Sequence, residues 1–399
     1  MKRLLILTDA PAPPLYTPRV RYLVRYLTNQ GWDCTVASET IPGVDFQFEA
    51  CRHLRYAYYT EGRRLHNAVR RLWDWLWLMK ERLFYSWLKE QIAGERFDCI
   101  LCSTFNLFPL PTAARIAQET GVPLVADFRD IDEQWGEATF AQRTVPGYLK
   151  PLFGLYRKRG VRLRNRALQQ AGVVTTISPW HQAVLQKLHP RVELIYNGFD
   201  EERFRPTAQK AETFRIVYTG RIYDFALRNP ELLFRGLQLV DKTKKIEVDF
   251  YCEEAQREAL SRMAERYGVA DRIHTYRFVG NDRVPALLAE ASICLLLTNR
   301  ATANGPHGIL TTKFYEALGM EKPVLCVPSD KECLAQVMEE TNAGLAAETP
   351  EEVAAFIEMK YQEWQERGYT RQAVRNKELF NRKKQAEQFE SLFCDSAHL

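Results

Sequence analysis

Short apolar runs ending in polar residues alternate with stretches of helical periodicity along almost the whole chain. The opening KRLLILTD reads as a buried parallel strand, followed by a Pro-rich loop, APAPPLYTP. Residues 19–30 predict an amphipathic helix, with Val20, Leu23, Val24 and Leu27 at helical spacing and Gly31 as its stop. The alternation continues through CTVAS, a helix over 72–91, FDCILCS, a helix over 111–120, and the strands VPLVADF, VVTTIS and VELIYNG with helices between them. The turn residues Asn197-Gly198-Phe199-Asp200 and then Phe204-Arg205-Pro206 lead into TAQKAET, which reads as a linker. Beyond it the pattern restarts: FRIVYTG, a helix over 230–240, IEVDFYC, a helix over 255–267, IHTYRFV, a helix over 284–291 and ICLLLT, then a helix over 312–318 and PVLCV. Strands alternating with helices in two runs predict an α/β fold with two Rossmann-like, doubly wound parallel-sheet domains facing a cleft. The boundaries fall at residues 1–200 and 201–368, with 369–399 a helical tail that crosses back to the first domain.

Composition agrees with two packed domains: 399 residues that are 46% hydrophobic and 26% charged exclude wholesale disorder. The nine cysteines are scattered, and the one close pair, Cys99 and Cys102, lies inside the apolar run DCILCSTF. That argues for strand packing in a reducing compartment, with no disulfide framework and no metal-ligand spacing. The apolar run Leu4–Leu7 is too short for a signal peptide, and nothing reaches the ~18–20 apolar residues of a membrane span. The expectation is a soluble, cytoplasmic chain.

Charge is uneven. Residues 1–200 hold 27 Lys+Arg against 19 Asp+Glu, while the second half is slightly acidic, so the surplus of +5 comes from the first half. Such asymmetry points to a polyanionic partner. The stretch RRLHNAVRRLWDWLWLMKERLFYSWLKEQ sets Trp73, Trp75, Trp77 and Trp87 among Leu72, Leu76, Leu83, Phe84 and Leu88, flanked by arginines and lysines. A second basic run holds Arg157, Lys158, Arg159, Arg162, Arg164 and Arg166. Tryptophan with arginine is the composition of a helix lying at a membrane interface, so an anionic membrane surface is the expected partner. No recognisable RNA or DNA module accompanies these residues, and no nucleic acid is expected.

Open parallel sheets bind ligands at the carboxyl ends of their strands. Neither a G-x-G-x-x-G fingerprint nor a G-x-x-x-x-G-K-[ST] loop is present, which takes support from hydride transfer and P-loop phosphoryl transfer. The strongest candidate is NGPHGILTTKFYE, residues 304–316. Gly305 and Gly308 let backbone approach a ligand, Thr311 or Thr312 caps a helix whose free N–H groups form an anion site, and Lys313 adds a cation. Glu316, one turn on, is placed to accept from sugar hydroxyls. Thr219-Gly220-Arg221 ends a strand and puts an arginine where it can fork onto a diphosphate, with Arg228 able to join it. In the first half, Asp127-Phe128-Arg129-Asp130 follows a strand and precedes Trp135; its acids suit an acceptor hydroxyl, or an Asp–Arg structural pair. His181 and His307 read as loop or cap residues.

These pieces in this order resemble the GT-B glycosyltransferases, in particular the retaining, nucleotide-sugar-dependent family four. The resemblance rests on Pro18-Arg19 entering the first helix, DFRDIDEQW, TISPW, IYNGFDEERF, YTGRIY with the later RNP, FVGNDRVPALLAEASICLLL and GILTTKFYEALGMEKPVL. It implies an acceptor-binding first domain and a nucleotide-sugar-binding second one. The implied donor-binding residues are Gly220, Arg221, Arg228, Gly308, Ile309, Leu310, Thr311, Thr312, Lys313 and Glu316, with Glu316 on the donor ribose and Arg221 on the diphosphate. Asp130, Asp127 and Lys313 are the catalytic candidates, and Arg19, Arg129 and Trp135 the acceptor-side ones. No cofactor beyond the nucleotide sugar is implied, and no metal; the implied acceptor is a lipid-linked or polysaccharide-precursor glycan. One departure stands out: many members pair two glutamates eight positions apart, and here Gly308 stands where the first would be. That keeps an inactive partner subunit in play beside a sugar-nucleotide epimerase.

Overall fold

A computed structural model describes residues 1–10, 18–136, 150–222, 225, 228–298, 300–302 and 305–396. Most of the Pro-rich loop after the first strand and Asn304 of the glycine loop lie outside them. The chain forms two compact units, residues 1–196 with 382–399, and residues 197–381.

The first unit is a seven-stranded parallel sheet: β1 (Arg3–Thr8), β2 (Asp33–Glu39), β3 (Arg52–Tyr56), β4 (Cys99–Thr104), β5 (Leu124–Phe128), β6 (Val173–Thr176) and β7 (Val192–Leu194), in the order β3-β2-β1-β4-β5-β6-β7. Leu4, Leu5, Ile6 and Leu7 of β1 are all buried, because the central strand is covered on both faces. One face packs on the helix Pro18–Asn29, which ends at Gly31 with φ +83°. The other packs on the helices Met79–Gln91 and Leu110–Thr120.

Two elements differ from the sequence pattern. β3, RHLRY, is a polar edge strand with one buried side chain, so no apolar run announces it. The helix expected over 72–91 is two helices, Arg64–Trp77 and Met79–Gln91, broken at Leu78, whose φ of +53° is left-handed. Asp74 fixes that break, its Oδ1 accepting the Lys80 N–H at 3.0 Å.

The second unit is a six-stranded parallel sheet: β8 (Phe214–Thr219), β9 (Ile246–Cys252), β10 (Ile273–Arg277), β11 (Ile293–Leu297), β12 (Val324–Val327) and β13 (Gly344–Ala346), in the order β10-β9-β8-β11-β12-β13. The helices Glu231–Leu239 and Pro350–Arg367 close one face over Phe214, Ile216, Phe234 and Phe250.

The tail leaves the second unit later than the pattern suggests, at residue 382 rather than 369. Residues 369–381 are held there by Thr370 Oγ1 donating to Ser292 O, by Arg371 and Lys377 on the Glu321 carboxylate, and by Phe380 stacked on Tyr315. From Arg382 a helix to Ser396 packs Phe389 and Phe393 into the first unit, and its Glu390 accepts from Trp32 Nε1 at 2.9 Å and from the Tyr26 hydroxyl at 3.1 Å.

Candidate functional site

In the second unit the carboxyl ends of β8 and β9 meet the amino end of the helix Thr312–Gly319. Gly220 follows β8 with φ +128°, and a Cβ there would stand 2.4 Å from Lys313 Cε. Only glycine leaves Lys313 its place. The ammonium lies 5.5 Å from the Tyr218 ring centroid, and burial, then Arg228, pulls its pKa down to about 8. Arg228 donates to the Arg221 carbonyl, which also accepts from the Tyr218 hydroxyl at 2.8 Å. The Arg221 side chain is turned toward Glu253, with Nε 3.8 Å from Oε1.

Thr311 holds the N-cap position in extended conformation, but its hydroxyl makes no capping bond, and the first turn carries no acid. The amides at that end and Lys313 therefore form a cationic corner suited to a phosphate. Thr312 is exposed, Ile309 and Glu316 are half-buried, and Leu310 is buried.

Gly308 is bonded through its amide. Its N–H donates to Glu332 Oε2 at 2.7 Å, while His307 Nδ1 donates to Glu332 Oε1 at 2.8 Å. The amide expected to face a diphosphate is thus already satisfied by a carboxylate from 24 residues downstream.

In the first unit Asp127 is 1% exposed and accepts four hydrogen bonds. Oδ1 receives Arg19 Nη2 at 3.0 Å and Thr175 Oγ1 at 2.8 Å; Oδ2 receives Arg19 Nε at 3.2 Å and Ser103 Oγ at 2.7 Å. Arg19 also donates to Tyr196 O at 2.9 Å and lies 4.8 Å from the Phe389 ring. The pair clamps β4, β5 and β6 to the first helix. The structural alternative holds for Asp127, with Arg19 and not Arg129 as partner.

Arg129 is buried, pairs with Asp9 and lies 4.0 Å over Phe105. Its Nε and Nη1 have no hydrogen-bond acceptor among the described residues. Asp9 is pushed up by burial, against the pull of Arg129. Asp130 accepts from Gln134 Nε2 at 2.7 Å, and burial raises it to about 6, within reach of proton transfer near neutrality. Trp135, half-buried, closes the single turn Asp132–Trp135 beside it. His181 is buried and lowered to about 4, so its ring is neutral, and its backbone N–H donates to Ser178 Oγ at 3.2 Å.

Sequence reasoning missed Glu253, Glu332 and Asp9. Asp9 and Glu253 do follow strands, the signal that flagged Asp127, but only the strand order places Glu253 beside β8. It also missed Glu247, Asp249 and His274, which the sheet brings together although their spacing matches no metal motif.

The helix Arg64–Trp77 has no buried side chain. Leu65, Val69, Leu72, Trp73, Leu76 and Trp77 are exposed on it, and Leu152 and Leu155 on the neighbouring helix Lys150–Leu168. Trp75 stacks on Tyr156, and Arg159 Nη1 donates to the Trp75 and Leu76 carbonyls. Trp87 instead packs inward on Tyr56 and Phe84. Among the described residues no helix is long and apolar enough to cross a membrane.

Two Rossmann-like parallel sheets in tandem, each with candidate ligand groups at its carboxyl end, define the class as GT-B. The model of Glycosyltransferase Family 4 matches residues 18–203, just under half of the chain. No curated protein matches the sequence. Its fold is similar to that of sucrose-phosphate synthase from Thermosynechococcus elongatus, at 14% identity over 99% of both chains with a TM-score of 0.66. It is similar also to Anabaena HepE in complex with UDP, at 13% identity over 99% of this chain and 100% of that one, TM-score 0.64. A Listeria monocytogenes protein assigned as UDP-N-acetylglucosamine 2-epimerase shares the fold at 11% identity over 98% and 95%, TM-score 0.56.

Proposed function

We propose that this protein is a retaining glycosyltransferase that moves a sugar from a nucleoside-diphosphate sugar to a lipid-linked or polysaccharide-precursor acceptor. The observation that carries the proposal is the placement of Lys313 against Gly220, at a helix amino end without acids and beside Arg228. That corner offers positive charge where a leaving diphosphate develops negative charge. Anabaena HepE is solved with UDP and with UDP-glucose, which supports a uridine nucleotide as the first donor to try. Glu316 holds donor hydroxyls and Arg221 reaches the diphosphate by leaving Glu253.

In the proposed chemistry the acceptor hydroxyl attacks the face from which the diphosphate departs, through an oxocarbenium-like transition state. The leaving phosphate takes the acceptor proton, and Lys313, Arg221, Arg228 and the helix amides stabilise it without a protein nucleophile. Asp130 and Arg129 orient the acceptor on the first unit. Glu332 answers the missing motif glutamate: its carboxylate is brought to the Gly308 amide from another segment, which favours an active enzyme over an inert subunit. The exposed Trp–Leu helix with its arginines holds the enzyme to the cytoplasmic face of an anionic membrane, where such acceptors reside.

A panel of nucleotide sugars tests the donor by thermal stabilisation, since a ligand that binds only the folded state raises the melting temperature by mass action. Stabilisation by one UDP-sugar, followed by its consumption only when a glycan acceptor is added, is the expected result. Conversion without an acceptor would instead make the protein an epimerase.

A further inference from the structure

β9 and the edge strand β10 bring three metal-binding side chains to one face of the second sheet. Asp249 and His274 are direct partners in the parallel register, and Glu247 stands two residues before Asp249 on the same face. One ligand atom from each lies within 4.8 Å of the other two. Ligands bound at 2.0–2.2 Å sit at most about 4 Å apart across an ion, so small side-chain shifts close the set.

Each donor has capacity left over. Asp249 is 3% exposed, yet its Oδ1 accepts no hydrogen bond, and a buried lone pair without a donor is costly. His274 is half-buried, and neither ring nitrogen has a hydrogen-bond partner among the described residues. Charge points the same way. Among the described residues Arg215 is the cation paired with these carboxylates, with Nε 3.2 Å from Glu247 Oε2 and 3.9 Å from Asp249 Oδ2, and Nη1 3.6 Å from Glu290 Oε2. Three carboxylates against one guanidinium leave two negative charges, which one divalent cation balances.

We propose that Glu247, Asp249 and His274 bind a divalent transition-metal ion that fastens the edge strand β10 to β9. An imidazole with two carboxylates suits Zn²⁺ and disfavours Mg²⁺, which prefers an all-oxygen shell. Asp249 lies four residues before Glu253, about 13 Å along the strand at 3.3 Å per residue, so the ion is structural and apart from the donor corner. It is independent of the transferase reading.

The test uses the full chain, stripped of metal with a chelator and titrated with ZnCl₂ by calorimetry and thermal unfolding. One Zn²⁺ per chain with micromolar or tighter affinity is expected, together with a raised melting temperature and no comparable effect of MgCl₂. His274→Gln and Asp249→Asn should each weaken binding at least tenfold. Arg215→Gln should tighten it severalfold, because the competing cation is gone. A metal-free melting temperature of His274→Gln near that of the parent shows that the variant folds. Absence of saturable Zn²⁺ binding, or binding unchanged in a folded His274→Gln, overturns the proposal; the latter would put the ion elsewhere, for example on the half-buried Cys51.

Discussion

Lys313 occupies the space that a side chain at Gly220 would fill, with Nζ 2.8 Å and Cε 2.4 Å from the position of a Cβ there. The glycine thus does two things: it adopts φ +128°, which L-residues avoid, and it admits the one cation of the helix's first turn. Gly220→Ala must displace the lysine or distort the strand end. The expected outcome is a loss of UDP affinity of at least tenfold by calorimetry, equivalent to about 1.4 kcal/mol. Affinity equal to the parent's would remove this corner from the donor site.

Lys313 should also write a pH dependence onto nucleotide binding. With its pKa lowered to about 8 by burial and by Arg228, the free protein loses this charge as pH rises through 8. Affinity for UDP should therefore decline from pH 7 to 9, and Lys313→Met should be weak and flat over that range. For stability the sign is opposite. Between about 8 and the ordinary lysine value of 10.5 the unfolded chain binds more protons, so this lysine makes the fold more stable as pH rises through that window. Denaturant unfolding of the nucleotide-free protein at pH 8 and 10, compared with Lys313→Met, isolates the contribution.

Two neighbouring aspartates should separate cleanly. Asp127 receives both forks of Arg19 in a buried pair, and removing one partner of such a pair costs about 3–5 kcal/mol. Asp127→Asn should fall in denaturant stability by that order. Asp130 has one side-chain partner, Gln134, and a pKa raised to about 6. Asp130→Asn should keep its stability and its UDP affinity while losing transfer. In the parent, transfer should drop as pH falls below about 6, and the variant should lack that limb. A stable Asp127→Asn, or an active Asp130→Asn, would reverse these roles.

Much of the architecture was legible because a two-faced parallel sheet needs continuous apolar runs, and LLIL, CILC and CLLL supply them. What escaped were elements whose stability comes from neighbours rather than from their own pattern. β3 pairs on one edge only, and the break at Leu78 depends on Asp74 reaching the Lys80 amide. In the candidate site the types and the strand-end positions could be read, so Gly220, Lys313 and Asp130 were visible. Partners from distant segments were not. Arg19 finds Asp127 across 108 residues, and Glu332 finds Gly308 across 24, distances over which spacing carries no information. The likeness of side chains misled as well: six cations run from Arg157 to Arg166, yet Arg157, Arg159 and Arg164 are bound internally, to Asp132 and Gly136 carbonyls, to Trp75 and Leu76 carbonyls, and to Glu133.

That distinction decides what the first unit can offer a membrane. Arg63, Arg64 and Arg71 with Lys158, Arg162 and Arg166 remain exposed around the apolar stripe Leu65, Val69, Leu72, Trp73 and Leu76, whose spacing marks one face of a helix. Leu65 is 82% and Leu155 65% exposed, so the core does not take them. On the proposed attachment, such a face would insert at headgroup depth while its cations meet anionic lipid, each contributing roughly 1 kcal/mol. Three engaged cations and two inserted tryptophans would then suffice for reversible binding. The protein should co-sediment with vesicles of 30% phosphatidylserine but not with neutral phosphatidylcholine, and 0.5 M NaCl should release most of it, conditions chosen to be about threefold above physiological ionic strength. Trp73→Ala with Trp77→Ala should reduce binding at least tenfold and leave UDP affinity intact. Changing Trp87, which packs inward, should instead destabilise the fold by a few kcal/mol. Sedimentation with neither vesicle at low salt would leave the Trp–Leu helix without this role.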